Sequence, residues 1–140
     1  METIRKINDD LAIAGQITLE ELQQIVASDF KSVLNLRSPD EEGFLSSEQQ
    51  QAEALGLDYV NIPLKVEELN DKIAKLVFQE LNKLPKPTLV HCSSAMRAAA
   101  MVLMHIATRQ GVTLQQAFKQ AEQLGLFVTP EHCSTVVNKF

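Results

Sequence analysis

Short apolar runs alternate along this chain with longer amphipathic stretches, and that alternation restricts its architecture more than any other feature. Lys31-Ser32-Val33-Leu34-Asn35-Leu36, Asp58 to Leu64 and Thr88-Leu89-Val90 read as strands, the first of them a buried-strand pattern. Between and after them lie helical patterns. Thr18-Leu19-Glu20-Glu21 is a capping box opening a helix with Leu19, Leu22, Ile25 and Val26 on one face. Ser47 is placed to cap a polar helix stopping at Gly56, and Leu69, Ile73, Leu76, Val77 and Leu81 space out a longer one ending before Pro85. Arg5 to Ile7 and Leu11 to Ala14 read as two short strands joined by a turn. Beyond Arg97 the pattern is helical, with breaks at Gly111 and Gly125 and restarts at Thr113 and Thr129-Pro130. Strand–helix alternation implies an α/β fold: a central, mainly parallel sheet of four or five strands flanked by helices.

No linker, repeat or low-complexity tract divides the 140 residues, so residues 1–140 read as a single domain. With 45% apolar and 22% charged residues, neither a disordered nor a fibrous chain fits. The net charge of −5 argues against nucleic acid as a partner, although a local anion site remains compatible with it. The longest apolar run, Ala98 to Met104, is too short for a membrane span, and Met1 to Lys6 lacks the apolar core of a secretory signal. Two cysteines make no disulfide framework. A soluble, cytoplasmic protein is expected, with its oligomeric state open.

In parallel α/β sheets, ligands bind beyond the carboxyl ends of the strands. After Val90 the chain reads His91-Cys92-Ser93-Ser94-Ala95-Met96-Arg97 and passes straight into Ala98-Ala99-Ala100-Met101. A strand, a turn of small residues and a helix opening form an anion cradle, because the first helical amides have no intrahelical acceptor and the helix dipole is positive there. Arg97 can add a planar fork of donors. A thiol at the base of the cradle faces an environment that favours thiolate, the nucleophilic form of cysteine.

This segment resembles the active-site loop of the cysteine-based protein tyrosine phosphatase superfamily. Val33-Leu34-Asn35-Leu36-Arg37 and Tyr59-Val60-Asn61-Ile62-Pro63-Leu64 resemble strands of its dual-specificity-like members. Together with Gly15-Gln16-Ile17-Thr18, they resemble the small bacterial phosphatase-like domains associated with β-lactamase-like hydrolases. The resemblance implies a protein tyrosine phosphatase-like fold and hydrolysis of a phosphomonoester, phosphotyrosine included, through a cysteinyl-phosphate. Its substrate would be a phosphorylated protein or a small phosphomonoester. Cys92 would be the nucleophile and Arg97 the transition-state arginine, with Ser93, Ser94, Ala95, Met96 and Arg97 supplying amides to the phosphate. His91 would orient the loop. No metal or other cofactor is implied.

The loop also departs from the superfamily pattern. Four residues separate Cys92 from Arg97 where five are usual, Ala95 stands where glycine is usual, and Ala98 stands where a hydroxyl residue is usual. The short loop matches rhodanese-type sulfurtransferases, which would carry a persulfide on Cys92. Ala95 and Ala98 suit a weakly catalytic phosphate-binding module. For the general acid, the residues after the Ile-Pro strand offer Glu67, with Asp40 on the preceding loop as its rival. Glu41-Glu42 reads as a solvated loop, and Met96 as a residue of the pocket rim. His105 reads as a core-edge or surface residue. The second His-Cys pair, His132-Cys133, reads as inert, with Cys133 as a resolving thiol if its segment approaches Cys92.

Overall fold

The structure is a computed structural model and describes residues 4–126. Five strands and five helices follow one another as β1 (Ile4–Lys6), β2 (Leu11–Ala14), α1 (Leu19–Ala27), β3 (Ser32–Asn35), α2 (Glu48–Ala54), β4 (Asp58–Asn61), α3 (Asp71–Lys83), β5 (Thr88–His91), α4 (Met96–Arg109) and α5 (Leu114–Gln123), with a 3-10 turn at Val66–Glu68. The sheet order is β1-β2-β5-β3-β4. Strand β1 pairs antiparallel with β2, and every other pairing is parallel.

Successive strand residues point to opposite faces, and both faces are covered. Leu11, Ile13, Leu34 and Val90 pack in one core with Val77, Leu81, Met101 and Phe118 from α3, α4 and α5. Ala12, Ala14, Val33 and Leu89 pack in the other with Leu22, Ile25 and Ala52 from α1 and α2. The near-continuous apolar strands expected of a parallel sheet are therefore explained by two apolar layers rather than one.

Local signals act as the sequence suggests in most places. The Thr18 hydroxyl accepts from the Glu21 amide at 3.0 Å, and the Glu21 carboxylate accepts from the Thr18 amide at 2.9 Å. Thr113 caps α5. Two expectations are corrected. Ser47 stands at the N-cap of α2 but makes no side-chain cap bond. On α3 the buried residues are Ala74, Val77 and Leu81, a face that turns position 76 outward, so Leu76 is exposed; Asn70 caps the helix, and Leu69 packs just before it begins. Thr129-Pro130 and His132-Cys133 lie outside the described residues.

Register brings the candidate residues together. Ala14, His91, Asn35 and Asn61 occupy one line across the parallel strands at their carboxyl ends. Each is the last residue of its strand, so the segments starting at Gly15, Cys92, Leu36 and Ile62 leave the sheet side by side. Among the described residues, no helix is long and apolar enough to cross a membrane.

Candidate active site

Cys92 leaves β5 with its amide donating to Ala14 O at 3.2 Å, and it is fully buried. Its Sγ accepts from the Ala98 amide at 3.5 Å, so the sulfur lies under the opening of α4. Ser93, Ser94 and Ala95 form the turn, and the helix begins at Met96, which is 39% exposed on the rim. At Ala95 the chain reverses with φ +74° and ψ −11°, a left-handed conformation. A glycine is ordinarily used there because it has no Cβ to crowd the carbonyl. Alanine in place of the usual glycine therefore puts strain into the turn at this residue.

A neighbouring strand end supports the turn from behind. The Gln16 amide donates to Ser93 O at 3.2 Å, and a Cβ on Gly15 would lie 2.9 Å from that same carbonyl oxygen. Glycine at position 15 is therefore required by close backbone approach.

His91 is wholly buried, with Nε2 2.5 Å from Glu48 Oε2 and Nδ1 3.5 Å from the Cys92 carbonyl oxygen. Glu48 is a carboxylate in the core, at the start of a helix whose sequence suggests a solvated surface. It accepts from the Tyr59 hydroxyl at 2.6 Å and from Gln16 Nε2 at 2.7 Å. Burial pushes its carboxyl up, but His91, Tyr59 and Gln16 outweigh burial and hold it below the ordinary value. Burial and then the adjacent Glu48 push the Tyr59 hydroxyl far up, so Tyr59 remains a neutral donor.

Arg97 turns toward the loop between β3 and α2. Its Nη1 donates to Glu41 Oε2 at 2.7 Å and to Leu64 O at 2.9 Å; its Nη2 donates to Glu41 Oε1 at 2.8 Å and to Ser93 Oγ at 3.0 Å. This bidentate pair holds the Glu41 carboxyl down at about 2, with Arg97 the largest cause. Arg97 is in turn pushed above its ordinary value, first by Glu41 and, against burial, by Cys92 as well. The reading of Glu41-Glu42 as a solvated loop is corrected for Glu41: its partner Arg97 is 56 residues away, beyond the reach of any spacing rule. A buried Arg37 locks the same loop, donating to Glu41 Oε1, Gly43 O, Glu42 O and Gln16 Oε1.

Asp40 lies on this loop, exposed and paired with Lys65 at 2.9 Å. Ser38 first, then Lys65, hold its carboxyl below the ordinary value. Glu67 sits exposed on the 3-10 turn, three residues beyond the Leu64 carbonyl that touches Arg97. His105 is buried against Asn82 at the core edge, two turns beyond Arg97 on the same helix. Among the described residues, no group of three or more histidines, cysteines, aspartates or glutamates could hold a metal ion.

Parallel sheet, short strand-to-helix loop and terminal arginine together define a protein tyrosine phosphatase-like fold. Solved structures agree. A DUF442 protein of Shewanella putrefaciens has a TM-score of 0.76 at 19% identity, covering 97% of this chain and 88% of that one. TpbA of P. aeruginosa in complex with pTyr has a TM-score of 0.71 at 15% identity, covering 97% and 83%. The PTP-2 phosphatase of Cydia pomonella has 0.68 at 16%, covering 98% and 89%. The profile of the beta-lactamase hydrolase-like protein, phosphatase-like domain, matches residues 3–112, and the chain belongs to that family. A beta-lactamase hydrolase-like protein of Agrobacterium fabrum is 29% identical over 107 residues, which is 74% of this chain. The chain spans about a quarter of the length of that curated relative, 25%.

Proposed function

We propose that this protein is a phosphomonoester hydrolase working through a cysteinyl-phosphate at Cys92. The observation that carries the reading is the sulfur 3.5 Å beneath the Ala98 amide, with Arg97 completing the loop around it. Attack by Cys92 Sγ on phosphorus forms the S–P bond as the bond to the leaving oxygen breaks. The amides of Ser93, Ser94, Ala95, Met96 and Arg97 and the Arg97 guanidinium take the charge on the remaining oxygens. Water then attacks phosphorus, passing a proton to the carboxylate left when the acid protonated the leaving oxygen; the S–P bond breaks with its electron pair staying on the Cys92 sulfur as thiolate, and inorganic phosphate departs. His91, clamped by Glu48, orients the base of the loop.

The leaving oxygen needs a proton, and the three nearby carboxyls differ in fitness for supplying it. Glu41 stays ionised down to about 2 and cannot serve as the acid near neutrality. Asp40 is paired with Lys65. Glu67, exposed on its turn, is the acid in this reading. The substrate is an aryl phosphate such as phosphotyrosine, on a protein or as a small molecule, in keeping with the fold shared with TpbA bound to pTyr. Residues 1–140 act as one domain, in the cytoplasm, without nucleic acid or membrane as partner.

Hydrolysis of 4-nitrophenyl phosphate by the wild type, Cys92→Ser and Arg97→Ala tests the reading. Both substitutions are expected to abolish turnover, and equal rates in wild type and Cys92→Ser would overturn it. A mass gain of one sulfur after thiosulfate treatment, with no phosphate release, would instead assign a sulfurtransferase. Tight phosphate binding without turnover would assign a binding module.

A further inference from the structure

We propose that the cleft lined by Asp10, Leu11, Lys86, His105, Ile106 and Arg109 is a second binding site, which takes a small zwitterion of the amino-acid class. Leu11 opens β2 and Lys86 lies two residues before β5, so the cleft sits at the amino ends of the parallel strands. Cys92 leaves their carboxyl ends, and the two sites are separate.

The cleft encloses about 250 Å³. Sites for drug-sized ligands run to about 300–1,000 Å³, so its occupant is smaller. His105, only 3% exposed, points to a ligand. Its Nε2 lies 3.0 Å from Asn82 Oδ1, which also accepts from Arg109 Nη1 at 3.3 Å. An oxygen accepting there requires the proton on Nε2, which leaves Nδ1 as a bare acceptor. Nδ1 is buried and has no partner among the described residues. Burial first, then Arg109 and Lys86, push this ring down to about 4, so it is neutral near neutrality and Nδ1 keeps its lone pair. An acceptor shut away from water without a donor burdens the fold, and a ligand that donates to it relieves that burden on binding.

The charges around the ring define what else the ligand carries. Lys86 Nζ spends hydrogens on Leu81 O and on Leu84 O, the latter at 2.6 Å, and keeps a third. Arg109 spends one of its five N–H donors on Asn82. Neither cation makes an ion pair among the described residues. Asp10 is the acceptor of the opposite sign. Its turn is held by Asn8 Oδ1, which accepts from the Asp10 and Leu11 amides at 2.8 Å each, and by Asp10 O, which accepts from the Thr88 amide at 2.8 Å. A lone anion would satisfy the cations but would meet Asp10 and a ring nitrogen that cannot donate. A lone water would satisfy Nδ1 and leave the cations unpaired. A carboxylate on Lys86 and Arg109, with an ammonium toward Nδ1 and Asp10, uses all four groups.

Glycine, L-serine and L-glutamate are the probes, with acetate and methylammonium as the separate halves. Each is titrated into the full chain, followed by calorimetry and by the imidazole nitrogen resonances of His105. At least one amino acid is expected to move the Nδ1 resonance and to bind about tenfold more tightly than either half. Arg109→Gln, at an exposed position, and His105→Phe, which keeps a ring against Phe78, are each expected to weaken that binding about tenfold. Hydrolysis of 4-nitrophenyl phosphate by Arg109→Gln should match the wild type. Absence of binding by all three amino acids, acetate binding as tightly as they do, or binding undiminished in Arg109→Gln overturns the proposal. An Nδ1 resonance that no probe moves assigns that nitrogen to water and overturns it as well. Thermal melts check folding, and if His105→Phe does not fold, Arg109→Gln decides by the same criterion.

Discussion

Replacing Ala95 by glycine is expected to stabilise the protein, against the usual sign of alanine-to-glycine changes in helical proteins. Ala95 stands at φ +74°, immediately before the first residue of α4. An L-residue in the left-handed region carries a penalty of about 1–2 kcal/mol that glycine escapes. Glycine also leaves the unfolded chain freer, which returns about 0.4–1 kcal/mol of that advantage. The net gain is about 0.5–1 kcal/mol, or about 2–3 °C in melting temperature for a chain of this size. The matched control is Ala107→Gly, near the other end of the same helix and packed against the core. That change should cost about 1 kcal/mol from helix propensity alone. Thermal denaturation followed by circular dichroism at pH 7 reads both. Identical destabilisation at 95 and 107 would refute the assigned backbone conformation and the strain drawn from it.

The remaining expectations concern the frame around the loop. Gly15→Ala would put a Cβ 2.9 Å from Ser93 O, a backbone atom that must then shift. Overpacking of this kind costs about 1–3 kcal/mol. Phosphate affinity should fall at least tenfold, roughly what a displaced cradle costs; titration showing no change would refute the contact. Arg97 holds the Glu41 carboxyl down at about 2 in the folded chain, against an ordinary 4.5, so its stabilising contribution is complete above 4.5 and is lost as pH falls toward 2. Acid unfolding of Glu41→Gln between those limits should be flatter than that of the wild type, and superimposable curves would contradict the ion pair.

Much of this molecule was legible locally. The capping box at Thr18 and Glu21, the strand around Val33 and Leu34, and the passage from β5 through Cys92 to Arg97 each depend on residues a few positions apart. Helix propensity, side-chain alternation and orphaned amides act at that range, so the order of residues suffices to find them. The acidic residues near the site illustrate the limit. Asp40, Glu41, Glu48 and Glu67 are alike as letters in polar surroundings, and sequence reasoning favoured Glu67 and Asp40. Folding assigned them different environments. Glu48 was carried into the core against His91, 43 residues away, and Glu41 against Arg97, 56 residues away. Asp40 stayed in solvent beside Lys65.

From its residue order alone, the chain determined a parallel α/β sheet and a cysteine-to-arginine turn at the mouth of a helix, since both follow from short-range geometry. Which carboxylates are buried, which way the guanidinium faces, and why position 15 must lack a side chain were decided by tertiary structure. Those properties depend on which strand ends lie side by side, and register across a sheet is a relation between segments that no single segment contains.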